Sequence, residues 1–388
     1  MSNNDAARPR KKLRIGIDAR PLREQRTGVE RMAYHFVTNL SRVSSPHDFV
    51  LFVDGPLYEP SAEALPHEVV VEAVKHPALQ RLFDFWLTAQ VRALIRKHDI
   101  DLFYSPNTKF PFCSVPCVTT VHGLEWAFYP AGYRRIERLK QRFWFHLASR
   151  RSAGMVTFAR NTVEDIRKLR PGSRTPVCVV PEGVGEQFRR LGQEECSRDL
   201  VTKFDAGGPF ILSVCSLEPR KNIDRLIRAF ARLIEGHGLE HDLVLVGREG
   251  WRSDRLHRLA EELGVADRVR FTGHVSDEEL VWLYNRTDLF VYPSLYEGFG
   301  LPLLEAMACG AAVVTSNRGS LPEVAGDAAI VVDPLSETEL ADAMARVLHN
   351  RDLRASLVEK GYARASAYSW ETMTRRIHAF IESVSGAA

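Results

Sequence analysis

Short apolar segments alternate with amphipathic ones along nearly the whole chain, and this alternation constrains the fold more than any other feature. In the first half, strand-like segments at 13–17 and 49–53 are each followed by apolar residues at helical spacing, and the same alternation returns from residue 210 onward. A long helix is expected around 82–98, and two helices are expected at the end of the chain. Strands that are apolar throughout are buried on both faces, which predicts parallel sheets covered by helices. Two such sets predict an α/β protein with two Rossmann-like, doubly wound domains facing across a cleft.

The length of 388 residues suits two domains. Gly, Gln and charged residues gather between positions 183 and 208, where we expect the domains to be joined. We therefore predict an N-terminal domain at 1–195, completed by a C-terminal helix at 372–388, and a C-terminal domain at 196–371. Residues 1–12 are polar and basic and lack the apolar centre of a signal peptide, so a disordered leader is expected. No run of about 18 uncharged apolar residues predicts a transmembrane helix.

Charge is divided unevenly between the two halves. Residues 1–193 carry 30 Lys and Arg against 19 Asp and Glu, whereas the remaining residues carry 22 against 30. This predicts that the first domain meets an anionic partner, such as a membrane surface or a pyrophosphate-linked acceptor. No nucleic-acid-binding motif accompanies the charge, so nucleic acid is disfavoured as a partner. The six scattered cysteines lack the spacing of a zinc site and indicate a reducing, cytoplasmic setting.

The segment 296–310 holds two carboxylates, Glu297 and Glu305, separated by a Gly-Phe-Gly turn and a proline. It follows a strand-like stretch and leads into an apolar helix, and such a junction offers free backbone N–H groups to a phosphate. Glu305 lies in a run too apolar to face water, and an unpaired buried carboxylate is costly. The pattern predicts a nucleotide-sugar site, with a diphosphate between two carboxylates that hold sugar hydroxyls. A solvated glutamate after an ordinary turn is the alternative.

Two further strand ends of the second domain carry candidate binding residues. Arg220 and Lys221 follow the strand at 210–214 and precede a helix, which predicts anion binding. A solvated pair of cations is the alternative. Val275 closes a Thr-Gly-His-Val turn, which is predicted to offer backbone groups and an apolar face to a nucleobase. An ordinary β-turn without a ligand is the alternative.

In the first domain, Gly28 opens a helix after a polar turn, and we expect this turn to touch a phosphate of the donor or the acceptor. The turn lacks the GxGxxG pattern, so a nicotinamide enzyme is disfavoured. His122 leaves a buried strand into a glycine loop. This position faces the cleft, where the imidazole would bond a sugar hydroxyl or shuttle a proton. The alternative is a structural histidine with its hydrogen bonds satisfied inside the protein.

The stretch 133–151 contains seven Lys or Arg and one Glu, interleaved with large apolar residues. A basic, aromatic helix of this kind is typical of peripheral contact with anionic lipid. Equally, its apolar face would belong to the core, with the arginines solvated.

Together the motifs resemble the retaining glycosyltransferases of family 4, which have the GT-B architecture. The resemblance is strongest in Glu-Pro-Arg-Lys-Asn at 218–222, Leu-Tyr-Glu-Gly-Phe-Gly-Leu-Pro at 295–302 and Glu-Ala-Met-Ala-Cys-Gly at 305–310. It implies that the first domain binds the acceptor and the second the donor. It also implies that Glu305 binds the nucleotide ribose and that His122 lines the sugar site. The donor sugar and diphosphate would be held by Glu297, Lys221 and the backbone of Phe299, Gly300 and Leu301.

Three positions depart from the family pattern. Cys215 stands where many members have an arginine, so Arg220 would share in neutralising the phosphates. Gly123 replaces an aspartate after His122, and Glu182 replaces a frequent asparagine.

The resemblance implies retaining transfer without a metal ion or cofactor, and it points to bacterial mannosyltransferases of surface polysaccharide assembly. GDP-mannose is the expected donor, and a saccharide or lipid-linked saccharide is the expected acceptor. The alternatives are a UDP-sugar donor, another enzyme of the same architecture such as a nucleotide-sugar epimerase or a sugar phosphorylase, and a catalytically silent scaffold.

Overall fold

The computed structural model of the chain describes residues 12–23, 28–58, 65, 67–75, 80, 84, 86–192, 195, 198–204, 207–247 and 253–386. Of the leader expected at 1–12, residues 1–11 lie outside the described residues. So do parts of two other predicted features, the polar turn before Gly28 and the start of the helix expected at 82–98.

The first sheet has seven parallel strands in the order β3-β2-β1-β4-β5-β6-β7. Its register places Ile15 beside Phe49 on one side and beside Leu102 on the other. The five central strands are mostly buried because apolar side chains fill both faces, whereas the edge strands β3 and β7 are partly exposed. Their bounds are β1 Arg14–Asp18, β2 Asp48–Val53, β3 Glu68–Val71, β4 Leu102–Ser105, β5 Cys117–Val121, β6 Gly154–Thr157 and β7 Val177–Val179.

The second sheet has six parallel strands in the order β10-β9-β8-β11-β12-β13. Strand order reverses between β1 and β4 in the first sheet and between β8 and β11 in the second, as in doubly wound folds. The expected α/β architecture of two Rossmann-like domains is thereby confirmed. The bounds are β8 Phe210–Val214, β9 Asp242–Val246, β10 Val269–Gly273, β11 Leu289–Tyr292, β12 Val313–Ser316 and β13 Ile330–Val332.

Helices cover both faces of each sheet because their apolar residues recur every three to four positions. In the first domain they are α1 Gly28–Asn39, α2 Val91–Lys97, α3 Glu125–Phe128, α4 Arg135–Arg151 and α5 Arg160–Leu169. A short α6, Arg198–Lys203, precedes the second domain. The second domain has α7 Ile223–His237, α8 Ser253–Glu262, α9 Asp277–Arg286, α10 Leu301–Cys309 and α11 Leu321–Ala325. Three helices end the chain: α12 Glu337–His349, α13 Arg351–Ser366 and α14 Trp370–Val384.

The structure differs in detail from three expectations about the elements. The chain ends in three helices after β13, not two, because Asn350 leaves the helical conformation and caps α13 through the N–H of Leu353. The last helix begins at Trp370 rather than 372, because the Ser369 side chain accepts from the N–H of Thr372. Within the expected helix at 82–98, the segment Trp86–Gln90 forms a π-helical turn before α2 begins.

Helix α14 returns to the first domain and packs against α1 and β6. His378 on α14 lies 2.8 Å from the Ser45 hydroxyl, and Trp370 stacks on His35 of α1 with ring centroids 4.5 Å apart. The boundaries 1–195, 196–371 and 372–388 stay a prediction. Among the described residues, no helix combines the length and the apolarity needed to cross a bilayer.

Candidate active site

The candidate site lies at the carboxyl ends of β8 and β11, which are neighbours in the second sheet. Because strand order reverses between them, their following loops diverge and leave a crevice, the usual place for a ligand in such sheets. The loop after β8 carries Arg220 and Lys221, and the loop after β11 carries Glu297. A hydrogen bond of 2.7 Å from the Leu295 N–H to the Arg220 carbonyl joins the two loops.

Glu297 is buried and paired with both predicted cations. Its Oε1 accepts from the Lys221 ammonium at 2.6 Å and from the Tyr292 hydroxyl at 3.0 Å, while Oε2 accepts from Arg220 at 3.0 Å. Burial opposes ionisation of this carboxyl, but Lys221 and Arg220 outweigh it and lower its pKa to about 2. The structure therefore brings together three residues that the sequence analysis assigned to the donor diphosphate and sugar.

The glycine turn before α10 is shaped by close approach and by backbone conformation. A Cβ added to Gly298 would lie 1.6 Å from the His122 carbonyl oxygen, so only glycine lets the turn touch the first domain. Gly300 has a φ of 115°, which side chains disfavour, and precedes the first residue of α10, Leu301. Phe299 is buried between them and lies against Phe158 of the first domain. The amino end of α10 is thereby held at the crevice.

Glu305 is the fifth residue of α10, is 5% exposed and is paired with a residue from the other domain. Its Oε1 accepts from the Arg31 guanidinium at 2.5 Å, and Oε2 accepts from the Tyr284 hydroxyl at 3.3 Å. The second nitrogen of Arg31 lies 2.9 Å from Asp277. Burial raises the pKa of Glu305, although Arg31 opposes the shift. Arg31 thus joins α1 of the first domain to the residue expected to hold a ribose.

His122 follows β5, and its backbone carbonyl oxygen lies against Gly298 of the glycine turn. A role of its side chain in the sugar site stays a prediction. Its Nε2 lies 2.8 Å from the Pro106 carbonyl oxygen, which only accepts, so this nitrogen carries a proton. Burial lowers the pKa of His122, with the Pro106 carbonyl and the Glu30 carboxylate opposing. The ring is therefore neutral at pH 7, and Nδ1 is the nitrogen that accepts a hydrogen bond. Glu30 supplies a carboxylate close to this histidine. The family pattern has an aspartate directly after the histidine, but this chain has Gly123 there.

The two domains touch around the same turn. The Tyr296 hydroxyl donates to Asp165 at 3.0 Å and accepts from the Leu124 N–H at 3.1 Å. The Thr162 hydroxyl lies 3.5 Å from the Gly298 carbonyl oxygen. Asp165 and Thr162 were not among the predicted site residues, since nothing local in the sequence relates them to residues more than 130 positions away.

Two predicted residues lie at the edge of this arrangement. Gly28 is the first residue of α1, and a Cβ added there would meet no described atom within 4 Å, so the described structure gives no steric reason for glycine. Val275 is buried in the turn between β10 and α9, two positions before Asp277. A role for either residue in donor binding stays a prediction.

Glu182 is a buried carboxyl group next to Glu305 and Arg31. It is 5% exposed, and burial together with the charge of Glu305 raises its pKa to about 8, with Arg31 opposing. The departure from the family pattern at this position was visible in the sequence. Its proximity to Glu305, 123 positions away, was not.

A buried ionic network lies at the carboxyl end of β1, on the first-domain side. Arg20 contacts Asp18 at 2.7 Å and Asp84 at 2.6 Å, and Lys109 contacts Asp84 at 2.8 Å. Burial opposes ionisation of Asp84, but the two cations lower its pKa to about 2. Because all four charges are compensated within the network, it orders this end of the sheet.

Among the described residues, one group of side chains has the composition of a metal site: His47, His378 and Glu382. The His47 Nδ1 accepts from the Leu13 N–H, and its Nε2 lies 3.3 Å from the Glu382 carboxylate. These contacts fasten α14 to the first domain. The described cysteines are free thiols, and Cys196 lies outside the described residues.

Several curated proteins have sequences similar to that of this chain. Curated relatives include the O-antigen chain mannosyltransferase B of Escherichia coli, which is 42% identical over 165 residues, 42% of this chain and 43% of that protein. They also include the GDP-mannose-dependent alpha-(1-6)-phosphatidylinositol monomannoside mannosyltransferase of Mycobacterium tuberculosis, 27% identical over 350 residues, 84% of this chain and 86% of that one. The chain thus spans less than half the length of the first of these relatives.

Solved structures share the fold. Sucrose-phosphate synthase from Thermosynechococcus elongatus superposes with a TM-score of 0.76 at 19% identity, covering 97% of this chain and all of the other. WaaG, a glycosyltransferase involved in lipopolysaccharide biosynthesis, superposes with a TM-score of 0.72 at 20% identity, covering 96% and 100%.

The family models divide the chain as its sheets do. The model described as Glycosyltransferase Family 4 matches residues 26–188, and the model described as Glycosyl transferases group 1 matches residues 200–364. Together they span most of both domains and include both carboxylates of the α10 turn, both cations after β8 and His122. The chain therefore belongs to the family 4 glycosyltransferases and has their GT-B fold.

Proposed function

We propose that this protein is a retaining glycosyltransferase that moves mannose from GDP-mannose to a hydroxyl of a saccharide or lipid-linked saccharide. One observation carries the proposal: Glu297, Arg220 and Lys221 form a buried charged cluster at the carboxyl ends of β8 and β11. Glu305 lies at the other end of the same turn, where a ribose would be held. The mannosyltransferases among the relatives support the choice of sugar.

In this proposal the cations stabilise the leaving group. As the bond between the anomeric carbon and the phosphate oxygen breaks, negative charge collects on the diphosphate. Lys221, Arg220 and the backbone N–H groups at the amino end of α10 are positioned to receive that charge without reorganising. Glu297 keeps both cations in place and offers carboxylate oxygens to the sugar hydroxyls.

The acceptor hydroxyl attacks the anomeric carbon on the face that the diphosphate leaves, so the configuration is retained. Its proton passes to a phosphate oxygen of the departing GDP, which balances the step. His122, neutral and with Nδ1 able to accept, binds a donor sugar hydroxyl and orients the ring beside the glycine turn.

We assign no cofactor and no metal ion to this reaction, because Arg220 and Lys221 supply the positive charge that a divalent cation gives in other transferases. Activity in excess chelator tests this point. We expect turnover to be unchanged, whereas a loss that is restored by Mg²⁺ or Mn²⁺ would contradict it.

We place the protein at the cytoplasmic face of a membrane, in peripheral contact through the basic stretch 133–151. The stretch forms helix α4, whose second half is partly core: Trp144 and Phe145 are buried. Its first half exposes Ile136, Leu139 and Phe143 by 59%, 61% and 50%. Apolar side chains among arginines favour an anionic lipid surface.

The proposed function is tested by thermal stabilisation against GDP, UDP, ADP and their sugar conjugates, followed by transfer assays with the donor found. A ligand at about 100 Kd should add roughly 2.7 kcal/mol to the free energy of unfolding. We expect selective stabilisation by GDP and GDP-mannose, and an α-linked mannoside in the product by NMR. Stabilisation by UDP-sugars alone would mean that the donor is a UDP-sugar and not GDP-mannose. If no ligand of the panel stabilises the protein, a catalytically silent scaffold is favoured.

A further inference from the structure

The carboxylate of Glu125 lies in the space beside Gly123, the position that departs from the family pattern after His122. A Cβ added to Gly123 would lie 2.5 Å from the Glu125 Oε2. The same Cβ would lie 3.4 Å from the Cα of Gly298, so the carboxylate and the glycine turn are neighbours across Gly123. Glycine at this position therefore leaves room for a carboxylate that comes from two positions later in the chain. The mechanism proposed above does not use Glu125.

The segment that carries Glu125 is fastened to the second domain on both sides. Before it, the Leu124 N–H donates to the Tyr296 hydroxyl at 3.1 Å. After it, Phe128 stacks on Tyr296 with ring centroids 5.9 Å apart. Because both contacts reach the loop that contains the glycine turn, Glu125 is held at the domain contact, and a side chain that is already positioned loses less entropy when a ligand binds.

The turn that follows α3 contacts the loop that carries the candidate cations: residues 130–132 pack against residues 219–221. The charge of Glu125 acts on this loop. Burial lowers the pKa of Arg220, but Glu297 and, more weakly, Glu125 raise it. Glu125 is thus close to a cation that the proposed function assigns to the diphosphate.

Glu125 is half-buried and has no ion pair in the part of the chain that the structure describes, since no Lys, Arg or His nitrogen there lies within 4.0 Å of its carboxylate. The Tyr133 hydroxyl is a neighbour, and burial together with Glu125 raises its pKa. One hydroxyl leaves most of the roughly four acceptor positions of a carboxylate unused. Its oxygens can therefore accept from a ligand in the cleft, and sugar hydroxyls are donors that suit them.

We propose that Glu125 binds a hydroxyl of the transferred hexose, in the place of the aspartate that the family pattern has after the histidine. Glu297 then holds the sugar from the second domain and Glu125 holds it from the first. The proposal rests on the proposed function, since it adds a sugar-binding residue to that transferase. The nucleotide makes no contact with Glu125, so this residue contributes to the binding of GDP-mannose and not to that of GDP.

Calorimetric titration with GDP-mannose and with GDP tests the assignment through the ratio of the two affinities. In Glu125→Ala the affinity for GDP-mannose should fall at least about tenfold, since a hydrogen bond to a charged group is lost. The affinity for GDP should be unchanged or should rise up to about threefold, because a negative charge near Arg220 is removed. A carboxylate that only acts on Arg220 would change both affinities in the same direction.

Moving the carboxylate along the chain gives a sharper test. In the combination of Gly123→Asp with Glu125→Ala, the carboxylate returns to position 123. The closest atom to the new Cβ is then the Gly298 Cα at 3.4 Å, which is an ordinary contact. This double variant should recover the affinity for GDP-mannose to within about threefold of wild type. The matched control is Glu164→Ala, which removes an exposed carboxylate from α5 of the same domain and should change neither affinity.

Equal changes of the two affinities in Glu125→Ala, or a double variant that binds GDP-mannose as weakly as Glu125→Ala, would overturn the proposal. If an alanine variant fails to fold, Glu125→Gln decides, since it keeps the shape and only a neutral acceptor. The affinity for GDP-mannose relative to GDP should then fall about threefold or more. An unchanged ratio in this variant would also overturn the proposal.

The titration of the wild-type protein separates this proposal from the proposed function. If the wild type binds GDP-mannose and the ratio does not depend on Glu125, only the role of Glu125 is contradicted. If the wild type binds a UDP-sugar instead, the donor of the proposed function is contradicted, and the same ratio with UDP and that UDP-sugar tests Glu125.

Discussion

The two carboxylates at the α10 turn are both buried, yet their surroundings are opposite. Glu297 has two cations within 3.0 Å, both from its own domain, and its pKa falls to about 2. Glu305 shares one cation, Arg31 of the other domain, with Asp277. Burial and the charge of Asp277 raise its pKa, with Arg31 opposing. The difference separates a preformed end of the site from one that depends on the domain contact.

This difference assigns distinct tasks to the two ends. The Glu297 end is complete within the second domain and is suited to the charge that develops during bond breaking. In the proposed function the ribose binds at the Glu305 end, where it would share the carboxylate with Arg31 or displace it. Under that proposal donor binding is coupled to the contact between α1 and α10, whereas charge stabilisation is not.

The largest effect is expected from Glu297→Gln, which keeps the shape and removes the charge that holds Lys221 and Arg220. Turnover should fall about 10²- to 10³-fold, because two buried cations lose their partner and the donor sugar loses a carboxylate. Steady-state kinetics with GDP-mannose measures the change. Glu218→Gln is the control, since Glu218 also contacts Arg220 but is largely solvated; less than about a threefold loss is expected. Similar losses of turnover in both variants would contradict a special role for the buried Glu297 carboxylate.

A smaller effect is expected from Arg31→Ala at the other end. Without Arg31 the pKa of Glu305 rises further, and a protonated carboxyl is a poorer acceptor for ribose hydroxyls. The KM for the donor should rise about tenfold at pH 6 and less at pH 8, with kcat within about threefold. Arg23→Ala, which removes an ion pair with Asp54 away from the site, should change neither constant. Tighter donor binding in Arg31→Ala would show that Arg31 only obstructs the ribose.

The smallest effect is expected from Glu182→Gln, measured as stability against pH. The folded-state pKa of about 8 lies above the ordinary value of 4.5, so the folded protein binds this proton more tightly than the unfolded chain. Stability is therefore lost as pH rises from 4.5 to 8, and glutamine removes that loss. From pH 7 to pH 8.5 the free energy of unfolding of the variant should rise relative to that of the wild type by roughly 1 kcal/mol. Exposed Glu186→Gln should show no such gain, and parallel profiles for Glu182→Gln and wild type would contradict the assignment.

The features predicted successfully from the sequence are those that depend on neighbouring residues. The strand at 210–214, the cations that follow it and the Gly-Phe-Gly turn are each encoded within about ten positions, and the structure places them together. The fold follows from the alternation of strands and helices, because parallel strands bring their carboxyl ends to one edge. The edge strand β3 was missed since it is four residues long and partly exposed, with Val71 at 56%.

Contacts between the domains were beyond sequence reasoning. Arg31 and Glu305 are 274 positions apart, and an arginine on the first turn of an amphipathic helix has no local feature that distinguishes it from a solvated one. Glu182 near Glu305 is a similar case. Both contacts depend on how two separately folded sheets face one another, which periodicity within either sheet does not encode.

A crystal structure of the protein with bound GDP tests the central claim most directly. We predict ribose hydroxyls within about 3.2 Å of the Glu305 carboxylate and a β-phosphate at the same range from Lys221 or Arg220. Arg31 should have shifted away from Glu305 or should share it with the ribose, while the Glu297 pairs with Lys221 and Arg220 remain. GDP bound elsewhere, or an unchanged Arg31–Glu305 pair with the ribose making no contact to Glu305, would contradict the account.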